Sequence, residues 1–417
     1  MGGRLFLVLA TLGILAVPAE ADTFQWTQFG PAGLEARVVS ETAAEGAACP
    51  VLRVDGAEVS MTRRSEPGSG YPVLACASVI SPGARSATLD GAPLALPAAD
   101  PKRILVIGDT GCRMKGTKVQ ACNDAAAWPF HLVAAAASVE RPDLVIHVGD
   151  YHYRETACPA GNQGCAGSPF GDNWAVWKAD FFSPAAALLR AAPWVAIRGN
   201  HEECNRGGRG WSRILDAYPF DTTKLCNDPG EAFNVALPGL NLFVMDVSTA
   251  EEETVDAGQA ARFRSQFQAV AQNSGPSWLL LHRPIWSVEE IKGTEQVGAN
   301  KTLGAAATGA IPTQVQVMLS GHHHTFQVFN YEQDLPPQLV SGHGGDYLDP
   351  GAAANPAGMV MNGVRVRSGV NLPNGFGFTM MERQGGGTWR IIDHDMRGNS
   401  VRTCKLVNRE VTCGSDF

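Results

Sequence analysis

Six short apolar runs constrain what the chain can fold into from residue 103 onward. Runs without a clean alternation of apolar and polar residues are typical of strands in sheets that are covered on both faces. Helical stretches around 124–139 and 172–191 follow the first two runs. This order predicts an α/β domain built in layers. The runs are RILVIGD (103–109), LVIHVGD (144–150), WVAIRGN (194–200), LNLFVMDV (240–247), WLLLHRP (278–284) and VQVMLSGHHH (315–324).

Five of these runs lead into a loop that carries Asp, Asn or His. Ligands bind at the carboxyl ends of strands in open α/β sheets, so we expect the five loops to meet in one crevice although they are far apart in the chain. Any one of these loops alone would be weak support. The loops are GDTG (108–111), GDYHY (149–153), GNHE (199–202), LLLH (279–282) and GHHH (321–324).

The polar residues of these loops form a mixed oxygen and nitrogen donor set. No cysteine cluster is interleaved with them, so a thiolate-rich structural zinc site is a poor match. Two metal ions bridged by one carboxylate are a known device for phosphate ester hydrolysis, because they stabilise charge and lower the pKa of bound water. The candidate ligands are Asp109, Asp150, Asn200, His282, His322 and His324.

The five loops, in this order, resemble the motifs of the calcineurin-like metallophosphoesterases. The usual first motif of that family is GD-x-H, but this chain has Gly111 at the last position. It is more similar to the purple acid phosphatase branch, whose motifs are GD-x-G, GD-x-x-Y, GNH-[DE], V-x-x-H and GH-x-H. The chain departs from them only at Leu279, and the similarity covers about residues 103–324.

This resemblance implies a fold and a ligand set. The implied fold is a layered β-sandwich flanked by helices in βαβ units. Tyr153 takes the place of the missing histidine as a phenolate ligand, which suits Fe³⁺ beside Zn²⁺, Mn²⁺ or Fe²⁺; the alternative is that Tyr153 packs under its loop. One metal is then held by Asp109, Asp150, Tyr153 and His324, and the other by Asp150, which bridges, with Asn200, His282 and His322.

The resemblance also implies a mechanism in which a metal-bound hydroxide attacks the phosphorus. His201 is expected to donate to the phosphoryl oxygens or to the leaving group, with Asp150 as the other catalytic residue and Glu202 orienting His201. Related proteins often carry further histidines after the fourth motif, and segment 283–296 has none. His152 and His323 occupy positions that the family does not use as ligands.

Two features near the motifs allow two interpretations each. Arg113 and Lys115 follow the first motif and are either solvated surface charges or contacts for the substrate phosphate. The loop around His343 is either structural or a border of the site.

The N-terminus and the cysteines indicate an exported protein. Residues 1–21 contain one Arg, an apolar stretch from Leu5 to Val17 and a small-x-small site, which predicts a signal peptide cleaved after Ala21 and a secreted or periplasmic location. Ten cysteines in such a chain predict disulfides. Their spacing favours the pairs Cys49–Cys76, Cys112–Cys122, Cys158–Cys165, Cys204–Cys226 and Cys404–Cys413.

The remaining sequence suggests a domain division and limits the partners. Residues 22–100 have short alternating runs and predict a small β-rich domain, and 101–417 form the catalytic domain. The net charge of −8 and the lack of a basic stripe argue against a nucleic-acid scaffold. After the signal peptide we expect no membrane span. The oligomeric state stays open.

These observations predict an enzyme that hydrolyses phosphate monoesters, a small-molecule substrate class. One alternative is a phosphodiesterase that uses the same two-metal site. An alternative of another kind is a non-catalytic exported protein that binds metal or phosphate.

Overall fold

The structure is a computed structural model that describes residues 22–41, 46–291, 294–296, 298–350, 355–372 and 375–414. The predicted signal peptide lies outside these residues.

The strands are numbered along the chain. Residues before 100 form β1 (Thr23–Gly30), β2 (Gly33–Glu41), β3 (Leu52–Val54), β4 (Ala57–Val59), β5 (Thr62–Ser65), β6 (Val73–Val79), β7 (Ala87–Leu89) and β8 (Ala92–Pro93). The next are β9 (Arg103–Ile107), β10 (Met114–Lys115), β11 (Lys118–Val119), β12 (Leu144–His147), β13 (Trp194–Ala196), β14 (Phe233–Leu237), β15 (Leu240–Val244), β16 (Ser277–Leu280), β17 (Glu289–Ile291) and β18 (Thr294–Gln296). The last are β19 (Val315–Ser320), β20 (Phe326–Tyr331), β21 (Gln338–Ser341), β22 (Val360–Met361), β23 (Val364–Leu372), β24 (Gly377–Gly385), β25 (Thr388–Asp395), β26 (Ser400–Val407) and β27 (Glu410–Gly414).

The helices are α1 (Phe130–Val139), α2 (Trp174–Trp177), α3 (Ser183–Leu189), α4 (Gly208–Gly210), α5 (Ala257–Ala269) and α6 (Lys301–Ala307). A π-helical segment, Lys178–Phe182, joins α2 to α3, so the helix predicted at 172–191 is present. The helix predicted from residue 124 begins only at Phe130, because turns occupy the preceding residues and Pro129 stands at the N-cap. Across the described ranges, no helix has the length and apolar character that a bilayer crossing requires.

Two large sheets dominate the fold. The first has eleven strands in the order β27-β26-β25-β24-β9-β12-β13-β1-β2-β6-β5. The second has eight strands in the order β14-β15-β16-β19-β21-β20-β23-β22. Neighbouring strands are parallel from β9 through β12 to β13 and from β15 through β16 and β19 to β21, so each sheet has a group of strands whose carboxyl ends share an edge.

The sheets pack face to face, with helices on the outer side of each. Successive residues of a strand point to opposite faces. In β9, Ile104 and Val106 lie between the sheets, whereas Leu105 packs with α1 and α3. In β16, Leu280 lies between the sheets and Leu279 packs with α5 and α6. Both faces of these strands are therefore buried, which confirms the predicted layered α/β fold and explains the runs without polar alternation.

The N-terminal segment is β-rich, as predicted. Strands β1, β2, β5 and β6 extend the eleven-stranded sheet, since Gln28 of β1 pairs in parallel with Trp194 of β13. The other four strands form a separate small sheet, β4-β3-β7-β8. The segment therefore shares a sheet with the part that carries the motifs, and the domain boundary at residue 100 stays a prediction.

All ten cysteines form disulfides, and the five predicted pairs are confirmed: Cys49–Cys76, Cys112–Cys122, Cys158–Cys165, Cys204–Cys226 and Cys404–Cys413. Five disulfides are typical of proteins that fold in an oxidising compartment.

Candidate metal centre

The five motif loops meet at one end of the sandwich. Asp109, Asp150 and Asn200 follow β9, β12 and β13 of the first sheet. The three histidines follow β16 and β19 of the second sheet. The structure therefore brings all seven predicted ligand residues around one centre, namely Asp109, Asp150, Tyr153, Asn200, His282, His322 and His324.

Three of these residues sit on sharp turns of the backbone. The φ angles of Asp109, Asp150 and His322 are 56°, 59° and 72°, in the left-handed region. Each follows a glycine that has no room for a side chain; a Cβ on Gly149, for example, would lie 2.5 Å from His282 Nδ1. The glycine and the left-handed residue together turn the chain out of the strand. This turn directs the side chain of the left-handed residue toward the centre.

The hydroxyl of Tyr153 lies at the middle of one half of the site. It is 3.1 Å from Asp109 Oδ1, 2.9 Å from Asp150 Oδ2 and 3.1 Å from His324 Nε2. One hydroxyl hydrogen can serve only one of these three acceptors. A cation satisfies all of them together with the phenolate oxygen, so this half has the donor set of a metal site.

The other half is built around the side-chain amide of Asn200. Its Oδ1 lies 3.0 Å from His282 Nε2 and 2.8 Å from His322 Nδ1. His282 Nε2 is also 3.2 Å from Asp150 Oδ2, which places that carboxylate between the two halves. Ligand atoms of Asp150, His282 and His322 all lie within 4.8 Å of one another.

The outer nitrogen of each imidazole is anchored by an acceptor. His282 Nδ1 lies 2.8 Å from Val148 O, His322 Nε2 lies 3.0 Å from Glu252 Oε1, and His324 Nδ1 bonds Tyr347 O. Each of these outer nitrogens carries the hydrogen of the neutral ring, so in the neutral ring the opposite nitrogen presents a lone pair to the centre. This arrangement of converging lone pairs and carboxylates fits two cations.

Gly111 makes room for the tyrosine. A Cβ at position 111 would lie 2.9 Å from Tyr153 Cδ2 and 2.6 Å from Tyr151 O. Any side chain there, histidine included, would displace the ring of Tyr153. The glycine of the first motif and the tyrosine of the second are therefore sterically linked.

Burial raises the pKa of Tyr153 well above its ordinary value, and the carboxylates of Asp150 and Asp109 raise it further. Arg113, whose guanidinium carbon lies 4.8 Å from the ring centroid, acts in the opposite direction. The protein alone therefore favours the neutral phenol, and a phenolate at this position requires a bound cation.

His201 lies beside the centre and is oriented by the backbone of the second motif and by a residue outside the motifs. Its Nδ1 is 3.1 Å from His152 O and 2.8 Å from Glu155 Oε1, and its Nε2 is 3.9 Å from Asp150 Oδ2. Arg206 bonds the same Glu155 carboxylate. Burial lowers the pKa of His201 to about 3. The hydrogen bond from His201 and the charge of Arg206 outweigh the effect of burial on Glu155 and hold its pKa well below the usual value.

Glu202 does not orient His201, so that expectation from sequence was wrong. Its carboxylate accepts backbone hydrogen bonds from Asp150, Tyr151 and His152 at 2.8–3.1 Å and from Gly199 at 3.0 Å. It therefore joins the loop of the second motif to that of the third. Adjacency in sequence suggested the wrong partner, because the 3₁₀ turn at Asn200–Glu202 points neighbouring side chains in different directions.

The centre opens into a cavity of about 680 Å³. Its lining includes ligand residues, the basic residues Lys115, Lys118 and Arg206, and the acidic residues Glu289 and Asp349. Tyr347, Leu348 and Pro350 add an apolar border, so the loop after His343 does border the site.

Arg113 is not a solvated surface charge. Its Nε lies 2.9 Å from Oδ2 of the fully buried Asp346, and its side chain is 16% exposed. Leu279, the one departure from the motifs, packs with α5 and α6 and does not reach the centre. His323 Nε2 lies 3.2 Å from Ser287 Oγ, and His152 Nε2 lies 3.0 Å from Gly171 O. Neither of these histidines is among the converging donors.

Comparisons with known proteins agree with this geometry. Residues 102–326, more than half of the chain, match the sequence model of the calcineurin-like phosphoesterases. The chain therefore belongs to the calcineurin-like phosphoesterase family and is a metal-dependent phosphoesterase with a dinuclear centre. A search of curated protein sequences finds no match.

Two solved structures are similar to different degrees. One is a purple acid phosphatase isolated from yellow lupin (Lupinus luteus) seeds, with a TM-score of 0.57 and 12% identity over 92% of this chain and 73% of that chain. The other is a putative 5'-nucleotidase from Staphylococcus aureus in complex with alpha-ketoglutarate, with a TM-score of 0.35 and 12% identity over 76% of this chain and 55% of that one. At 12% identity, the comparison with the lupin protein shows that the two chains share a fold.

Proposed function

We propose that the chain is an exported phosphatase that hydrolyses phosphate monoesters, with Fe³⁺ in the half that contains Tyr153 and Zn²⁺, Mn²⁺ or Fe²⁺ in the other half. The observation that carries this proposal is the position of the Tyr153 hydroxyl, within 3.1 Å of three acceptors. A phenolate is a hard anionic donor, and together with two carboxylates it suits a hard trivalent ion.

Two bound cations would polarise the phosphoryl group and supply a hydroxide nucleophile at low pH. The residues of the chain would hold and orient the two cations. Asp150 Oδ2 lies near both Tyr153 and His282, so it is the carboxylate that would bridge the ions. Its Oδ1 accepts from the backbone N–H of His201 at 2.8 Å, which fixes the carboxylate plane.

His201 is the proposed proton donor. Nδ1 faces the carboxylate of Glu155, so Nε2 is the nitrogen directed toward Asp150 and the cavity. A proton on Nε2 can pass to the leaving oxygen. Burial makes that proton acidic, since it lowers the pKa of His201 to about 3, and the carboxylates of Asp150 and Glu155 partly offset this effect by stabilising the imidazolium. The alcohol then leaves through the cavity.

Glu155 is a positioning residue, since it acts through His201. Segment 283–296 supplies no further histidine, and the cavity wall there carries Glu289. His201 is therefore the single histidine outside the ligand set to which we assign proton transfer.

Export is proposed from the N-terminal sequence and supported by the five disulfides. We expect the mature chain to begin at Asp22. N-terminal sequencing of protein recovered outside the cytoplasm tests this, and a mature chain that retains residues 1–21 would contradict it.

Turnover of an aryl phosphate and of the corresponding bis-aryl phosphate by the metal-loaded protein tests the substrate class. We expect faster cleavage of the monoester, and much faster diester cleavage would favour the phosphodiesterase alternative. His201→Asn should lower monoester turnover by about a hundredfold or more. Hydrolysis of neither ester by correctly folded, metal-loaded protein would favour the non-catalytic alternative.

A further inference from the structure

The hairpin of β10 and β11 forms one wall of the cavity beside the metal centre. It carries Lys115 and Lys118, and both line the cavity. The two lysines are direct cross-strand partners, so they share a face of the hairpin. The other pair of the hairpin, Met114 and Val119, packs into the apolar layer beneath.

The hairpin is held in a fixed position relative to the ligands. The disulfide Cys112–Cys122 closes its base. The backbone N–H of Met114 donates to the carbonyl of Tyr153 at 3.0 Å. On the other side, Gln120 Nε2 donates to Gly345 O at 2.9 Å. The lysines are therefore carried by a structure that is bonded to a ligand residue.

Placing two lysines opposite each other is electrostatically unfavourable. Like charges at directly paired positions destabilise a hairpin, because their Cβ atoms lie only about 4.5–5.5 Å apart. Lys115 Nζ lies 3.5 Å from Glu155 Oε2, but that carboxylate also serves His201 and Arg206. Within the described ranges, Lys118 forms no ion pair with an acidic side chain. The acidic side chains near this wall therefore do not neutralise all of its positive charge.

The cavity lining also contains two acidic residues, Glu289 and Asp349. An anionic group that extends from the reacting phosphate is therefore attracted to the two lysines of the hairpin and repelled by these carboxylates. The contact of Lys115 with Glu155, which orients His201, sets the hairpin one side chain away from the proposed proton donor.

We propose that Lys115 and Lys118 bind a second phosphate group of the substrate, so that the preferred substrates are phosphate esters that carry a further phosphate. This inference rests on the proposed function for the identity of the reacting group. Binding at the two lysines requires only an anionic group near the hairpin. It can therefore be measured without hydrolysis.

The test is the affinity of the metal-loaded protein for two non-hydrolysable probes, measured by calorimetry. One probe is an alkyl phosphonate, and the other has a second phosphonate at the far end of the same alkyl chain. We expect the bisphosphonate to bind about tenfold more tightly at low ionic strength, which exceeds the statistical factor of about two for two equivalent ends. The advantage should shrink as salt is added, because the lysines are exposed.

Lys118→Gln is the informative variant, since Lys118 is separated from Glu155 and His201 by Lys115. It should reduce the advantage of the bisphosphonate by about fivefold. Lys118→Arg should retain it, because the charge is kept. Lys405→Gln removes an exposed lysine on β26 that is not part of the cavity lining, and serves as the matched control.

Equal affinities for the two probes in the wild-type protein, or an unchanged advantage in Lys118→Gln, would overturn the inference. Preferential binding of the bisphosphonate without hydrolysis of any phosphate ester would support the anion site and contradict the proposed function. Hydrolysis of an aryl phosphate together with equal affinities for the two probes would support the proposed function and contradict the anion site. Comparing turnover of a sugar monophosphate with that of the corresponding bisphosphate then extends the result to substrates, and we expect faster turnover of the bisphosphate at low concentration.

Discussion

The two halves of the candidate metal centre differ in how deeply they lie in the protein. The tyrosine half consists of Asp109, Tyr153 and His324, and the amide half of Asn200, His282 and His322. Asp109 and Tyr153 are fully buried, and so is His282 of the amide half, so the difference lies at His322. The His322 side chain is 19% exposed, and its carboxylate partner Glu252 is 37% exposed.

We infer from this difference that the two ions have different roles. The Arg113–Asp346 pair packs against the tyrosine half, so an ion there is held by groups that cannot easily move. The amide half reaches the solvent at His322, and we expect its ion to exchange faster and to meet the substrate first.

Asp150→Asn should affect both halves, since Asp150 contacts Tyr153 and His282. We expect turnover to fall by about a thousandfold and both metals to bind more weakly, because the bridging negative charge is lost. Asparagine tolerates the left-handed backbone at this position, so the fold should be retained. Turnover, metal content and circular dichroism measure these effects; full activity would show that Asp150 does not bridge.

Tyr153→Phe should affect only the tyrosine half. The iron-loaded wild-type protein should have a visible charge-transfer band, and the variant should lack it and turn over about ten- to hundredfold more slowly. Tyr151→Phe is the matched control, because Tyr151 is equally buried but its hydroxyl lies 3.4 Å from His147 O, outside the ligand set. A band that persists in Tyr153→Phe, or a colourless and fully active di-zinc protein, would refute the iron assignment.

Glu252→Gln should weaken only the amide half. The carboxylate of Glu252 anchors His322 Nε2 at 3.0 Å, and loss of such a partner typically lowers metal affinity about tenfold. Metal analysis during dialysis against a chelator should show faster loss of one ion and retention of the visible band. The exposed neighbour Glu253→Gln is the control. Equal loss of both ions in Glu252→Gln would remove the distinction between the halves.

Leu279→Val restores the family motif and should leave both halves unchanged. The Leu279 side chain is fully buried against α5 and α6, so removing a methylene should lower the free energy of unfolding by about 1 kcal/mol. Denaturant unfolding measures that change, and turnover should stay within experimental error. A large change in turnover would indicate that a substitution at position 279 alters the metal centre.

The sequence predicts that the candidate ligand residues meet at one place, because each lies in a loop that follows a strand. Asp109, Asp150 and His322 follow glycines at the ends of apolar runs, and parallel strands bring such ends to a common edge. The local disulfide pairs were also predictable, since each joins cysteines that are near in the chain.

The residues that support the ligands could not be predicted in the same way. Glu155, Glu252 and Asp346 lie in loops without periodicity, and their partners come from distant segments of the chain. Adjacency in sequence pairs Glu202 with His201, yet the carboxylate of Glu202 accepts hydrogen bonds from backbone amides of two loops. The addition of β1 to the large sheet depends on a long-range parallel pairing with β13 that leaves no local signal.

The pairing of a cramped glycine with a left-handed ligand residue has a consequence for protein engineering. Asp109, Asp150 and His322 each depend on the preceding residue for their direction, so the portable unit of this centre is a dipeptide. Grafting the ligand side chains alone onto another pair of sheets would leave them pointing to the faces of the sheets and away from a common centre. A transplanted centre would need Gly108, Gly149 and Gly321 as well, and Gly111 wherever the tyrosine is to be kept.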